Sequence, residues 1–259
     1  MHPVLLHFGP VKVFAWGFML ALAVLIAVFG IGRQLEKEGY AADLGLDLIL
    51  LSVICGIIGG RIAYIVTYEW ADFLRDPWLV LSIREGGIQG LVWYGSLVGG
   101  LIPFLLYLRR KKLAVWPIAD IFAPYVALGY ALVRIGCFLE GCCYGRVTSS
   151  TLGMVFPTVD AYTRYPTQLF SSALNFLLFF VLIRLYPRRR FPGQVFIVYI
   201  IGYSVYRFIV EFFRESLIMV GPISLGQVYT LLLLAVGIAL YFWQKARSKK
   251  QGVMYNEPR

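Results

Sequence analysis

Four arginines and one glutamate stand where a very apolar chain has little reason to carry charge. Arg61, Arg134, Arg207, Glu211 and Arg214 all lie within or at the ends of long apolar runs. An ionisable side chain inside a membrane helix costs roughly 2.5–3.5 kcal/mol on insertion scales, so such residues usually serve a purpose. Positions 207, 211 and 214 follow the spacing i, i+4, i+7, which sets them on one face of a helix, and Tyr203 extends that face by a turn. A guanidinium presents a planar fork of donors that matches two oxygens of a phosphate. Several forks from different runs at one depth suit a phospholipid headgroup better than a set of separate snorkelling anchors. Asp120, alone near the start of its run, is expected to serve structure as a helix-end residue and not to carry protons.

The segment 133–147 gathers Gly136, Gly141 and Gly145 with Cys137, Cys142 and Cys143, and closes on Arg146. Glycines allow close backbone approach, which suits a loop folding over a headgroup. The cysteines have no histidine nearby and two of them are adjacent, so a zinc site is not expected. A structural disulfide outside the cytoplasm is the stronger expectation, and buried free thiols are the plain alternative.

The elements that must position these groups are membrane helices. Of 259 residues, 59% are hydrophobic and 15% charged, against roughly 45–50% and about 25% in soluble domains. Those figures exclude disorder, collagen and a small disulfide scaffold. The net charge of +10 does not imply nucleic acid, because the basic residues sit in short clusters between apolar runs. A span needs about 20 mostly apolar residues. Seven runs meet that length: 13–32, 48–68, 86–108 (mainly its later half), 113–133, 165–183, 191–213 and 216–243. The first is too long and too weakly charged at its front to read as a cleaved leader.

Basic clusters at 109–112, 188–190 and 245–250 fall on one side of a seven-helix path. The positive-inside rule makes that side cytoplasmic and places the N-terminus outside. The expected fold is therefore an all-α integral membrane protein with seven transmembrane helices, N-terminus outside and C-terminus cytoplasmic. It comprises a membrane domain over 1–245 and a basic cytoplasmic tail over 246–259. The ionisable residues then converge on the outer half of the bilayer. That placement, with no inverted repeat of broken helices, argues against a transporter.

With these residues in view, the chain resembles the bacterial phosphatidylglycerol–prolipoprotein diacylglyceryl transferases, from Leu6 to about Leu240. The resemblance rests on Gly59-Gly60-Arg61-Ile62, Asp76-Pro77, Glu85-Gly86-Gly87, Tyr94-Gly95 and Gly99-Gly100. It continues through Arg134-Ile135-Gly136-Cys137-Phe138 with Gly141 and Gly145-Arg146, then Arg164-Tyr165-Pro166-Thr167-Gln168-Leu169. It ends with Tyr203, the stretch from Arg207 through Glu211 to Arg214, and Gly226-Gln227. Each piece alone is weak; in this order they are specific.

The resemblance implies transfer of a diacylglyceryl group from phosphatidylglycerol to the lipobox cysteine in the signal peptide of a prolipoprotein, at the outer (periplasmic) side of the bacterial inner membrane. A relative that binds lipid or serves another acceptor is the alternative. Arg134 and Arg207 match the family's phosphate-binding arginines, with Glu211 and Arg214 orienting them. Arg61, Gly145, Arg146, Tyr203 and Gln168 complete the expected substrate-binding set. Phosphatidylglycerol, prolipoproteins and membrane lipids are the implied partners, and no metal, organic cofactor or nucleic acid is implied. The chain also departs from the family. Tyr94 stands where the family usually has a histidine, Cys137 where it has asparagine, Cys142 where it has glutamate, and Trp16 where it has tyrosine. Tyr94 is accordingly expected to act as a hydrogen-bonding group and not as a general base.

Overall fold

The computed structural model describes residues 3–8, 11–41, 43–78, 90–215 and 218–255. Two short strands, β1 (Val4–Phe8) and β2 (Val11–Phe14), precede α1 (Ala15–Lys37), α2 (Asp43–Tyr68) and the short α3 (Trp70–Arg75). Next come α4 (Trp93–Arg110) and α5 (Val115–Glu140), and then the strand pair β3 (Met154–Val155) and β4 (Thr163–Arg164). The chain continues with α6 (Thr167–Leu185), α7 (Gln194–Glu211), the hairpin of β5 (Met219–Val220) and β6 (Ile223–Ser224), and α8 (Leu225–Lys250).

Among the described residues, six helices are long and apolar enough to cross a membrane: α1, α2, α5, α6 with the turn that follows it, α7 and α8. The seventh long helix, α4, contains Pro103, begins with Trp93 and Tyr94 and ends in Arg109 and Arg110; it is not among the six.

Several expected boundaries shift, each for a local reason. The fourth run continues past Val133 to Glu140, because Arg134 finds a partner on its own helix at Tyr130 and does not have to end the helix. The seventh begins at Leu225 instead of 216, since Gly221 at φ +64 turns the chain into a hairpin. Ser224 then starts the helix with a capping box: its Oγ accepts from the Gln227 N–H at 3.1 Å, while its own N–H donates to Gln227 Oε1 at 2.9 Å. For the third run only α4 is seen. The stretch 86–89, the motif Glu85-Gly86-Gly87 and Ser216 lie outside the described residues.

The helices group into two units. The first contains Val13–Ile31 and Trp116–Arg259, hence most of α1 with α5 to α8. Within it α7 packs against both α6 and α8, and the Ser172 hydroxyl of α6 donates to the Ala131 carbonyl of α5 at 2.9 Å. Asp120 is fully buried and accepts from the Gly193 and Phe196 N–H groups at 2.7 and 2.9 Å. It thus ties α5 to the amide-rich start of α7, where a carboxylate is favoured, the structural role expected of it. Asp120→Ala strands the buried Gly193 N–H and the half-buried Phe196 N–H, the first at about 1–3 kcal/mol. The variant should therefore melt at a clearly lower temperature in detergent; unchanged melting would show that the contact carries no stability.

The second unit is built from α2, α3 and α4. Here α2 and α4 approach backbone to backbone. A methyl at Gly59 would lie 2.5 Å from the Gly95 carbonyl oxygen, and one at Gly99 would lie 2.5 Å from the Cys55 carbonyl oxygen. Small residues that let membrane helices touch along their backbones gain dispersion contact, the main attraction available where no water drives association. Several glycines of the family-like motifs thus have a packing role.

Candidate functional site

At the C-terminal end of α7, Glu211 is buried and is the hub of a charge cluster. Its Oε2 lies 2.8 Å from Arg207 Nη2 and 3.7 Å from Arg214 Nε, as the i, i+4 and i, i+3 spacings require. Two contacts from the next hairpin and helix seat the carboxylate. The Ser224 hydroxyl approaches Oε1 at 3.5 Å, and Gly226 leaves the room, since a methyl there would lie 2.6 Å from Oε1.

Arg134 joins this cluster from α5. Its guanidinium donates to the Tyr130 hydroxyl and lies 4.7 Å from the centroid of that ring. Tyr203 stacks edge-on against Tyr130 at 6.2 Å, so it backs the residue that holds Arg134. Among the described residues no carboxylate lies within ion-pair distance of Arg134. Arg214 feels the cluster as a whole. Burial first, and then the charges of Arg207 and Arg134, hold its guanidinium below the usual arginine value, with Glu211 acting in the opposite sense. Three guanidiniums against one carboxylate leave an excess of positive charge in a half-buried place, which favours an anion.

The loop after α5 closes over this end of the unit. The Gly145 N–H donates to the Tyr165 carbonyl at 2.8 Å, and the Arg146 N–H to the Phe213 carbonyl at 3.0 Å, so the loop is stitched to the chain just before Arg214. The Arg146 side chain is exposed; its described contacts here are made by its backbone. Gln168 is fully buried and donates through Nε2 to the Cys142 carbonyl at 2.6 Å, while Thr167 donates to the Cys143 carbonyl at 2.9 Å. In this structure Gln168 holds the loop. Further out, Arg164 pairs with Asp160 at 2.7 Å and with Glu215 at 3.4 Å.

The cysteines correct two expectations. All four are free thiols, so the expected disulfide is not formed. The sulfurs of Cys137, Cys142 and Cys143 nevertheless lie within 4.8 Å of one another, although adjacency argued against a common site. Gly141 at φ +79 and Cys143 at φ +62 turn the chain at the helix end, so neighbouring residues no longer alternate faces as they do in an extended strand. Hydrogen bonds with the Cys137 and Cys142 thiols, then Arg134 and Arg214, hold the Cys143 thiol below its ordinary value.

Arg134, Arg207, Glu211, Arg214, Gly145, Arg146, Tyr203 and Gln168 thus all lie in the first unit. Arg61 and Tyr94 belong to the second. Arg61 is buried on α2, 3.6 Å from Glu69 and 5.5 Å from the Tyr64 ring centroid. Tyr94, at the start of α4, is 66% exposed and edge-stacked on Trp93 at 5.1 Å. Sequence reasoning missed Tyr130 and Ser224. Both had a signal, the i, i+4 spacing of Tyr130 to Arg134 and the capping-box pattern of Ser224 and Gln227.

Six spanning helices and a positively charged cluster at the ends of two of them define a multi-pass α-helical membrane protein equipped to hold an anionic group. Comparison with known proteins makes this more particular. The sequence model of the prolipoprotein diacylglyceryl transferases matches residues 3–243. The phosphatidylglycerol–prolipoprotein diacylglyceryl transferase 2 of Clostridium perfringens (strain 13 / Type A) is 36% identical over 93% of this chain and 94% of its own. The corresponding transferase of Clostridium tetani (strain Massachusetts / E88) is 34% identical over 93% and 97%, and that of Legionella pneumophila (strain Corby) 33% over 95% and 97%. The chain belongs to the prolipoprotein diacylglyceryl transferase family.

Proposed function

We propose that this chain transfers the sn-1,2-diacylglyceryl group of phosphatidylglycerol to the lipobox cysteine thiol of prolipoproteins, the first step of lipoprotein maturation. The thiol gives up its proton and its sulfur attacks the glyceryl carbon. A thioether C–S bond forms, the C–O bond to phosphate breaks, and glycerol 1-phosphate departs with the bonding electrons. Family membership sets the reaction class. The observation that carries the site is Arg134, a half-buried guanidinium with no described carboxylate partner, beside the Arg207–Glu211–Arg214 cluster.

Arg134 and Arg207 grip the phosphodiester and take up charge as the leaving phosphate develops it. Glu211 fixes the direction of Arg207, and Tyr130 that of Arg134. Incubating the purified chain with phosphatidylglycerol and a lipobox peptide, with mass spectrometry of the peptide, tests the reading. The expected product carries one added diacylglyceryl group. A folded preparation that leaves the peptide unmodified rules the reaction out.

The chain acts in the bacterial cytoplasmic membrane with seven spans, the N-terminus outside and the charge cluster toward the outer leaflet. Within the first unit, the ends of α5 and α7 meet the starts of α6 and α8 through the Thr167–Cys143 and Ser224–Glu211 contacts. The basic stretch 188–190 instead meets the far end of α8, where the Tyr255 N–H donates to the Arg190 carbonyl at 2.9 Å. This separation of basic stretches from the cluster supports the orientation. Alkaline phosphatase fused after Lys250 should be inactive and fused within 158–163 should be active; the reverse at both places would invert the topology.

Tyr94 takes the place of the family's usual histidine and serves by hydrogen bonding to the acceptor or to a phosphate oxygen, since a hydroxyl both donates and accepts. Tyr94→Phe should slow transfer about ten- to hundredfold at every pH, one hydrogen bond's worth. A variant that instead loses the ascending limb of the pH profile would make Tyr94 the base, and unchanged kinetics would leave it an interfacial aromatic.

A further inference from the structure

We propose that Cys137, Cys142 and Cys143 form a binding site for a thiophilic d¹⁰ metal ion, zinc in the first instance, beside the arginine cluster.

Three thiolates around one zinc at about 2.3 Å stand about 4 Å apart. The three sulfurs already lie within 4.8 Å of one another, so they can close on an ion by shifts smaller than a bond length. Backbone contacts that do not involve the thiols hold this placement. The Cys142 N–H donates to the Cys137 carbonyl at 3.0 Å, Gln168 Nε2 to the Cys142 carbonyl at 2.6 Å, and the Thr167 hydroxyl to the Cys143 carbonyl at 2.9 Å. Cys143 is held at φ +62, a left-handed conformation uncommon outside glycine, asparagine and aspartate. Cys137 is buried, Cys142 half-buried and Cys143 exposed, which gives the site a floor and an entry.

The charge balance also fits. Binding a divalent ion breaks three S–H bonds and releases three protons to the surrounding water, leaving a complex with one net negative charge. Arg134 stands one helical turn before Cys137 on the same face of α5, and its guanidinium offsets the charge. Soft thiolate ligands select zinc, cadmium and copper(I) over magnesium or calcium. Three protein ligands leave the fourth tetrahedral position open.

The test uses the full chain in detergent with a phosphine reductant, stripped of metal and titrated with cadmium. A thiolate-to-cadmium charge-transfer band in the near ultraviolet should rise to an end point of about one ion per chain, and zinc should abolish it by competition. Cys55→Ser should titrate like the unaltered chain, whereas Cys137→Ser and Cys143→Ser should each weaken binding at least about a hundredfold, since even losing an outer partner of a ligand costs about 10–100-fold. The unaltered chain supplies a second readout: saturating zinc should slow alkylation of Cys137, Cys142 and Cys143 and leave Cys55 unaffected, as followed by peptide mass spectrometry. No band, a band indifferent to both serine variants, or alkylation that zinc does not change overturns the site. None of these readouts depends on transferase activity.

Discussion

Arg134→Ala should lower turnover on phosphatidylglycerol by about 10²–10³, the usual cost of removing one donor from a site that stabilises developing negative charge. Arg134→Lys should still lose at least tenfold, about 1.4 kcal/mol, because an ammonium keeps the charge but not the two-pronged fork. Folding should change little in either variant. Arg134 has no described carboxylate to strand, and removing it relieves Arg214 of a repelling neighbour. Turnover with graded lipid concentrations, alongside melting in detergent, separates the two effects. A lysine variant with normal turnover would show that charge alone suffices and would remove the fork from the mechanism.

Gly145→Ala should be at least as damaging, by a different route. Its new methyl would lie 2.2 Å from the Phe213 carbonyl oxygen and 2.7 Å from Thr167 Cγ2. The first of these is backbone and cannot swing away as a flexible side chain could. The loop must move instead, and the Gly145–Tyr165 and Arg146–Phe213 hydrogen bonds are lost together. Overpacking of this kind costs about 1–3 kcal/mol before the bonds are counted. Because the displaced backbone runs directly into Arg214, turnover should fall by about a hundredfold or more. Normal turnover in the alanine variant would show that the loop need not close for transfer.

How much of this was legible depends on whether the interaction is local along the chain. Six of the seven expected spans were legible, because twenty apolar residues admit few other readings, whereas the third run yields only α4, which is not among the helices able to cross. The Arg207–Glu211–Arg214 face was legible because helical spacing is fixed by geometry. Arg134 was read as a helix end, since a charge in an apolar run usually marks one. Only the Tyr130 contact explains why α5 runs on to Glu140. The seat of Glu211 was not legible, because Ser224 and Gly226 reach it through a hairpin whose geometry turns on Gly221. The cysteines were misread for a related reason. Spacing says that adjacent side chains diverge, and two left-handed residues reverse that. Arg61 and Tyr94 were singled out on the same grounds as the others, yet they belong to the second unit. Their place in the reaction rests on the kinetics of their variants.

The backbone contact between α2 and α4 also restricts how this stretch of the gene can change. Its glycines face their partners only because Gly56 and Gly59 are three residues apart on α2, and Gly95 and Gly99 four apart on α4. One inserted or deleted residue between them rotates everything beyond it by about 100° and puts side chains where carbonyls now touch. Exchange of one lipid-facing aliphatic residue for another is neutral by comparison, because no neighbour has to accommodate it. Outside these glycines, relatives of this protein should therefore vary in letter but not in length across both helices, with insertions and deletions confined to the connections.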